Sequence, residues 1–475
     1  MHTQYRTVPE QEQLMTRLDQ EVAGQFVHRL DAWLAPLYVL LDAYLDRRLV
    51  RTFADVIVSI IQLRHREAGL LQTELGAMLL SPQHAPAASK RIQRLLSSTK
   101  WGAWLIDQFL WQQATKQLET LEHQGCLALV LHDGSELEKP ESVKVEGLCP
   151  VRSSKGRRLS RPRPKAHCIS PTKGAPILVP GIHWHGAVLI GLQSLPSVIK
   201  MHYWSSRGSH ASTGRIEEER VVRHLAQQWG RRVIHVFDRG WAGGPWLQVM
   251  HRLGQRFVER WTGRYELVDE QGTKRKAWEI ARGKRQSVQG TLWWAAFGRE
   301  ITLTIKWRLV RHAEVEGMPL YLVVASAKEW SSPWYLLTNE PVEEAEAAMR
   351  IVNIYCRRWQ IEWSFRFEKS ELGIEHMRVR GWERQLKFLG MVTLVYAFLL
   401  QLLMCEGTLV RLWALDRWDH QTGKRARQTR QPLYRLRRGL SRLWQAYRPQ
   451  AQDRPAWLGA DLATRTPNFC SESSG

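Results

Sequence analysis

Five residues in the last third of the chain combine one acid with cations and an aromatic at helical spacing. At 100° per residue they fall within an arc of roughly 80° on one helix face; they are Tyr355, Arg358, Glu362, Arg366 and Lys369. A lone carboxylate flanked by cations suits a metal ion with phosphates on either side, as in cutting or joining a nucleic-acid backbone. The alternative is a surface ladder of i,i+4 ion pairs running from Arg358 through Glu362 to Arg366.

Two aspartates are candidates to share a site with Glu362. Asp133 and Asp238 each follow an apolar run that predicts a buried central strand. Because neighbouring parallel strands end at the same edge of a sheet, we expect both acids to meet there. Two carboxylates ~5 Å apart repel by about 3 kcal/mol at an effective dielectric of 20, so the cluster needs a cation. Two magnesium or manganese ions would compensate it. Taken singly, each aspartate is more often a turn residue.

The charge balance points to an anionic partner. The chain has 68 Lys and Arg against 46 Asp and Glu, a formal net charge of +22. Such a field favours nucleic acid, and the 23 tryptophans suit stacking on bases. The six cysteines show no Cys-x-x-Cys spacing, which argues against a zinc ribbon or a disulfide framework and favours a reducing compartment.

Helical spacing of apolar residues dominates residues 1–115. Within this segment two short predicted helices are joined by a loop, and the second helix carries Lys90, Arg91 and Arg94. In a helix-turn-helix variant these cations would read a DNA major groove, whereas in an ordinary helical hairpin they would only be solvated. The net charge favours the first interpretation, so we expect a helical N-terminal DNA-binding region.

Strand and helix patterns divide the rest of the chain into four segments. Residues 116–255 contain both strand–acid units and form the first part of an α/β core. Residues 256–340 have a strand-rich pattern, which predicts a β-rich insertion. Ile301–Leu309 alternates apolar and polar side chains, and Pro319–Ser326 and Trp334–Thr338 are predicted companion strands. Residues 341–408 complete the core with the helix of Glu362, predicted to begin near Val342. Residues 409–475 form a basic, helical tail that is solvated, contacts phosphates or packs on a partner subunit. A basic loop at 151–165 is a candidate phosphate clamp.

The apolar stretch Phe388–Cys405 is nearly long enough to span a bilayer. It contains Gly390, Thr393, Tyr396 and Gln401 and directly follows the charged helix. We therefore predict a buried core helix and no membrane span.

The spacing between Tyr355 and Lys369 is also a family signature. Tyr, two residues, Arg, three residues, Glu, six residues, Lys resembles the mark of the DDE transposases of bacterial insertion sequences, in the group named after insertion sequence four. The flanking residues strengthen the likeness, which covers roughly Leu127 to Leu403.

This resemblance implies a ribonuclease-H-like catalytic core with the β-rich insertion between the second and third acids. It maps the catalytic, metal-binding acids onto Asp133, Asp238 and Glu362. The implied reaction is cleavage at the element's ends, then attack of the freed 3′-hydroxyls on target DNA, with Mg²⁺ or Mn²⁺ as a pair of ions. The implied partners are double-stranded DNA, as terminal inverted repeats and target, and a second copy in a synaptic complex. The implied location is the bacterial cytoplasm, at the nucleoid.

The resemblance also assigns DNA contacts. The residues concerned are Tyr355, Arg358, Arg366, Lys369, Arg260, Trp334 and Trp359. Arg260 matches a phosphate-binding arginine. Trp334, 28 residues before the third acid, matches the position that stacks on a flipped base in relatives using a hairpin step, with Trp359 a second aromatic nearby. The alternative for Trp334 is a core tryptophan of the insertion sheet.

Two other functions compete with an active transposase. One is a non-catalytic DNA-binding protein, such as a regulator of transposition or a decayed copy. The other is a stand-alone nuclease. Retention of all three acids and the Tyr-Arg-Glu-Lys set argues against decay without proving activity.

Overall fold

The computed structural model describes residues 8–64, 70–140, 142, 144–154, 176–282, 287–294, 298–405, 410–419 and 432–448. The chain divides into two compact units. The first comprises Met1–Gln112, Leu137–Leu148 and Arg366–Gly475, and the second comprises Gln113–Glu136 and Cys149–Phe365. Together they form a mixed α/β protein with a helical N-terminal region, as the sequence predicted.

The first unit is built from helices. Those of the N-terminal region are α1 (Val8–Asp42), α2 (Arg47–Gln62), α3 (Gln72–Leu79), α4 (Ala85–Ser97) and α5 (Trp104–His123). Asp46 caps α2 by accepting hydrogen bonds from the backbone amides of the next helical turn. The predicted pair of short helices is confirmed as α3 and α4, joined by a 3₁₀ turn at Pro82–His84.

Among the described residues, later helices of this unit are α11 (Trp382–Cys405), a π-helix at Val410–Arg417 and α12 (Pro432–Ala446). Over Trp382–Met404, α11 is long and apolar enough to cross a membrane, but 78% of its apolar window is buried inside the protein, as a core helix requires. In α12, Arg437 is buried and donates to the carbonyls of Ile60 and Leu63. The described part of the basic tail therefore packs as a helix within the first unit.

The second unit is organised around a mixed sheet. Its strands are β1 (Ala128–Glu138), β2 (Cys149–Arg152), β3 (Leu178–Ile190), β4 (Ser197–Trp204), β5 (Val233–Phe237), β6 (Arg256–Trp261), β7 (Glu266–Val268), β8 (Lys274–Lys276), β9 (Val288–Trp294), β10 (Arg299–His312), β11 (Val315–Ala327) and β12 (Trp334–Thr338). The order is β2-β3-β1-β5-β6-β12-β11-β10-β7-β8, with β4 on β3 and β9 on β10. The helices of this unit include α6 (Gly214–Trp229), α7 (Gly244–Arg252) and α8 (Ala277–Ala281).

The strands at 256–340 extend the core sheet. The first of them, β6, pairs in parallel with β5, and β12 returns antiparallel to β6. The strands between them, including the long β10–β11 hairpin, continue the same sheet outward. The boundary at residue 256 therefore falls at the start of a core strand.

The helix predicted to carry the charged stripe is two helices. α9 (Ala345–Cys356) ends before Arg357, and α10 (Trp359–Ser370) begins after Arg358. Through the break the backbone hydrogen bonds shorten to i→i−3, as in a 3₁₀ turn. The prediction of one continuous helix was wrong because both turn arginines are held by tertiary contacts. Arg357 donates to the Ser194 carbonyl at 2.6 Å, and Arg358 binds two acids.

Candidate active site

The two aspartates are brought together by strand register. β1 and β5 pair in parallel from Ala128↔Val233 to Leu131↔Val236. The pairing ends there, and Asp133 and Asp238 each lie two residues further along their own chain segment. The charge of Asp238 helps to raise the pKa of Asp133, so the two acids are close enough to interact. Asp238 follows β5 directly, as predicted. Asp133 does not end its strand, because β1 runs on to Glu138, beyond its pairing with β5. The acids therefore lie where the two strands part.

Arg358 connects the third acid to the first. Its guanidinium donates to Asp133 Oδ2 at 3.2 Å and to Glu362 Oε1. The Arg358 side chain is only 5% exposed. The i,i+4 pair of the surface-ladder interpretation thus exists, but it is buried at its arginine end and shared with an acid 225 residues away. An exposed ladder would have no such third member.

The electrostatics of Asp133 link all three acids. Burial raises the pKa of Asp133 to about 7; Arg358 opposes the rise, while the charges of Asp238 and Glu362 add to it. For Arg358, burial works against the charged form, but Tyr355, Asp133 and Glu362 together raise its pKa. Asp133 therefore lies where a positive charge is strongly favoured, and in this structure the guanidinium supplies it.

The acids fit a hard divalent cation by chemistry, though they do not enclose one. Carboxylate oxygens are the ligands that Mg²⁺ and Mn²⁺ prefer. Among the described residues, no three His, Cys, Asp or Glu side chains are arranged to hold a metal ion. Instead, the Arg358 guanidinium binds both Asp133 and Glu362. That the three acids share one cation pocket stays a prediction.

An aromatic cluster lies beside this group. Tyr355 is 1% exposed, and its ring meets the edge of Trp334 with centroids 5.1 Å apart. Trp334 is 5% exposed in β12 and stacks on Trp330 at 4.2 Å. Arg260 lies 5.7 Å over the Trp334 ring, and Asp238 acts on Tyr355 electrostatically. One face of Trp334 is thus covered by Trp330, so a stacked base would have to displace that neighbour.

The remaining predicted DNA contacts are spread over both units. Trp359 is 41% exposed, and the Arg358 guanidinium lies over its ring, 4.9 Å from the centroid. On α10, Arg366 is exposed and Lys369 partly buried; both belong to the first unit, since the second ends at Phe365. The cations of α4 are exposed in the first unit, as either interpretation of that hairpin requires; they are Lys90, Arg91 and Arg94. Most of the 151–165 loop lies outside the described residues.

Two features of the site were missed by the sequence reasoning. One is Glu218 on α6, where burial raises the carboxyl pKa to about 7, Arg215 lowers it and Asp133 raises it. Glu218 is therefore a fourth acid within electrostatic reach of Asp133. The run Glu217-Glu218-Glu219 was visible in the sequence, but nothing local distinguishes its middle member.

The other is a chain of buried histidines beneath the acids. His132 bonds His185 at 3.3 Å and His235 at 2.9 Å, and His235 bonds Gln255. Burial lowers the pKa of all three imidazoles, to about 3 for His185 and about 4 for His235. Neutral rings can donate on one nitrogen and accept on the other, so the chain ties β3, β1 and β5 together. Its signal in the sequence was histidine within apolar strands: one each in β1 and β5, and two, His183 and His185, in β3.

Comparisons with known proteins agree with this geometry in part. Residues 192–398 match the family model described as "Transposase DDE domain". The match includes Asp238 and Glu362 and begins after Asp133. Among solved structures, the chain is similar to one titled "Cryo-EM structure of piggyBac transposase synaptic complex with hairpin DNA", at 12% identity over 97% of this chain and 87% of that chain. The TM-score is 0.38, a likeness that carries no argument about fold or function. The family match supports a DDE transposase.

Proposed function

We propose that this protein is a metal-dependent DDE transposase of a bacterial insertion sequence, in the group named after insertion sequence four. It would cleave DNA at the element's ends and join the 3′-hydroxyls to target DNA. The observation that supports the proposal is that Arg358 binds both Asp133 and Glu362, while the charge of Asp238 also acts on Asp133.

The sheet order supports a ribonuclease-H-like core. The order is β4-β3-β1-β5-β6, with β3 and β4 antiparallel and with β5 parallel to both β1 and β6. The strands inserted between β6 and β12 lie in the sequence between the second and third acids, as the proposed family requires. The site lies where β1 and β5 part, which is where open α/β sheets hold their ligands.

Each residue of the proposed site has a role that follows from its chemistry. Asp133, Asp238 and Glu362 would hold Mg²⁺ or Mn²⁺, two ions in the proposed mechanism. When bound, such ions activate a water or a 3′-hydroxyl and stabilise the leaving oxygen of a phosphodiester. Arg358 balances the acids' charge, and its remaining donor capacity suits a DNA phosphate. Buried Tyr355 limits water access on the side of the aromatic cluster.

The DNA partners follow from charge and from the signature. The net charge of +22 supports contact with terminal inverted repeats and with target DNA. Arg260, Arg366 and Lys369 are proposed to contact phosphates, and Trp334 with Trp359 to contact an unstacked base. A homodimer would pair the two element ends, in the bacterial cytoplasm at the nucleoid.

The proposal is tested by a substitution that removes the charge of one acid and keeps the shape of its side chain. Asp133→Asn is assayed in magnesium on DNA carrying the sequence that flanks the coding region, and end binding, nicking and joined products are scored separately. We expect lost nicking and joining with retained binding. The matched control is Asp269→Asn, in the β7–β8 turn, where an amide oxygen can keep the bonds from the Gln271 and Thr273 amides.

Each alternative gives a different result. Unchanged joining by Asp133→Asn would refute the assigned site. A wild-type chain that binds ends without any cleavage would be a regulator or a decayed copy. Nicks without joined products would indicate a stand-alone nuclease.

A further inference from the structure

The helix α6 carries three successive glutamates with different surroundings. Glu217 is 4% exposed and binds His202 at 2.6 Å and Arg220 at 2.7 Å. Glu219 forms an ion pair with Arg223 at 2.5 Å. Both therefore have ordinary structural roles, one in packing β4 against α6 and one along the helix surface.

The middle glutamate has no such role. Within the described part of the chain, Glu218 makes no hydrogen bond and no ion pair. Its carboxylate is half-buried, and the loss of water around it costs folding free energy. Arg215 and His183 attract it electrostatically, but burial outweighs them and raises the pKa of Glu218, and acids perturbed in this way cluster at functional sites.

The Glu218 side chain extends toward the backbone of β1. Its Oε1 lies 4.0 Å from the position that a Cβ on Gly134 would occupy. Gly134 directly follows Asp133 in β1. Because glycine has no side chain, nothing on Gly134 blocks the approach of Glu218 to the strand. Glu218 thus approaches the strand from α6 at the level of the first acid, beyond the end of the β1–β5 pairing.

We propose that Glu218 is a fourth carboxylate of the cation site, binding a divalent ion together with Asp133. This inference rests on the proposed function, and it adds a residue that the Asp-Asp-Glu set does not contain. Because no hydrogen bond or ion pair among the described residues holds the Glu218 carboxylate, it can bind a hard cation directly or through one of its waters.

The experiment measures Mn²⁺ binding to the full-length protein without DNA, by equilibrium dialysis or electron paramagnetic resonance. Glu218→Gln removes the charge and keeps the shape, and Glu219→Gln is the matched control on the same helix. We expect Glu218→Gln to weaken Mn²⁺ binding roughly 10- to 100-fold. Glu219→Gln should leave the dissociation constant unchanged. Asp133→Asn, measured alongside, tests the site itself.

A second readout separates a ligand role from a structural one. In chelator, Glu218→Gln should melt at the same temperature as the wild type or higher, because burial and the charge of Asp133 disfavour the Glu218 carboxylate more than Arg215 stabilises it. A variant that melts lower or fails to fold would show a structural role and overturn the inference.

The outcomes also separate this inference from the proposed function. If Asp133→Asn loses Mn²⁺ and Glu218→Gln binds it like the wild type, the inference is wrong and the three-acid site stands. If Asp133→Asn binds Mn²⁺ unchanged, the site itself is wrong, and the role of Glu218 falls with it.

Discussion

Removing the charge of Arg358 should destabilise the metal-free fold. The perturbation is Arg358→Met, which keeps an unbranched side chain and deletes the guanidinium between Asp133 and Glu362. Each ion pair is worth about 4 kcal/mol of Coulomb energy at ~4 Å and an effective dielectric of 20. Desolvation of the arginine opposes that gain, and breaking a buried pair costs about 3–5 kcal/mol.

The solvent exposure of the two acids determines how large a loss of stability we expect. The Asp133 side chain is 19% exposed and that of Glu362 is 34% exposed, so solvent screens part of the unpaired charge. We therefore expect a loss of about 2–4 kcal/mol in the free energy of unfolding. The assay is denaturant unfolding at neutral pH in chelator, so that no divalent cation replaces the guanidinium. The control is Arg350→Met, an exposed arginine on α9, which should change stability by less than about 0.5 kcal/mol.

A double-mutant cycle decides whether the bridge is the cause. In an Asp133→Asn background, one of the two acids is already neutral. Arg358→Met should then cost about 1–2 kcal/mol less than it does in the wild type. If the loss of stability in the double variant equals the sum of the two single losses within about 0.5 kcal/mol, Arg358 and Asp133 do not interact. That result would refute the electrostatic account of the site.

Three further changes test other parts of the fold. Burial raises the pKa of Glu368 to about 8 from an unfolded value of 4.5, so the folded state holds a proton that the unfolded state releases, and stability should fall as pH rises from 4.5 to 8. Glu368→Gln should remove the part of that fall that Glu368 causes, up to about 4 kcal/mol, in unfolding curves at pH 5 and pH 8; an unchanged slope would contradict it. Gly186→Ala should cost about 1–3 kcal/mol, because its new Cβ would lie 2.8 Å from the Phe365 ring; a neutral result would mean that the ring moves freely. Trp334→Ala should cost about 3–5 kcal/mol from lost packing on Trp330, whereas a stable variant impaired only in processing DNA ends would favour the base-stacking role.

Local pattern predicted most of the elements in the sheet. The apolar run before Asp238 is a buried strand because such a run can be satisfied only between two layers. Alternation at period two predicted β10, and the strand at Trp334–Thr338 has the predicted bounds. The fixed Tyr-Arg-Glu-Lys spacing singled out Arg358 and Glu362 before any geometry was known.

The break between α9 and α10 could not be predicted from local sequence pattern. The sequence across Arg357 and Arg358 contains no glycine or proline to end a helix. The helix is interrupted where both arginines bind partners far away in sequence, the Ser194 carbonyl and Asp133. Helical periodicity describes only neighbours along the chain, so it cannot register contacts of this kind.

The sequence by itself determined which residues have the chemistry for a phosphate-processing site and which strands and helices carry them. The tertiary structure decided which of these groups meet. In the folded chain Arg358 binds two acids, Trp330 covers one face of Trp334, and Glu218 lies near Gly134, while Glu217 and Glu219 bind other residues. The physical reason is that charge and burial act through space. Three glutamates in a row are equivalent in a sequence, and only the packing of their helix against a sheet gives each its own surroundings.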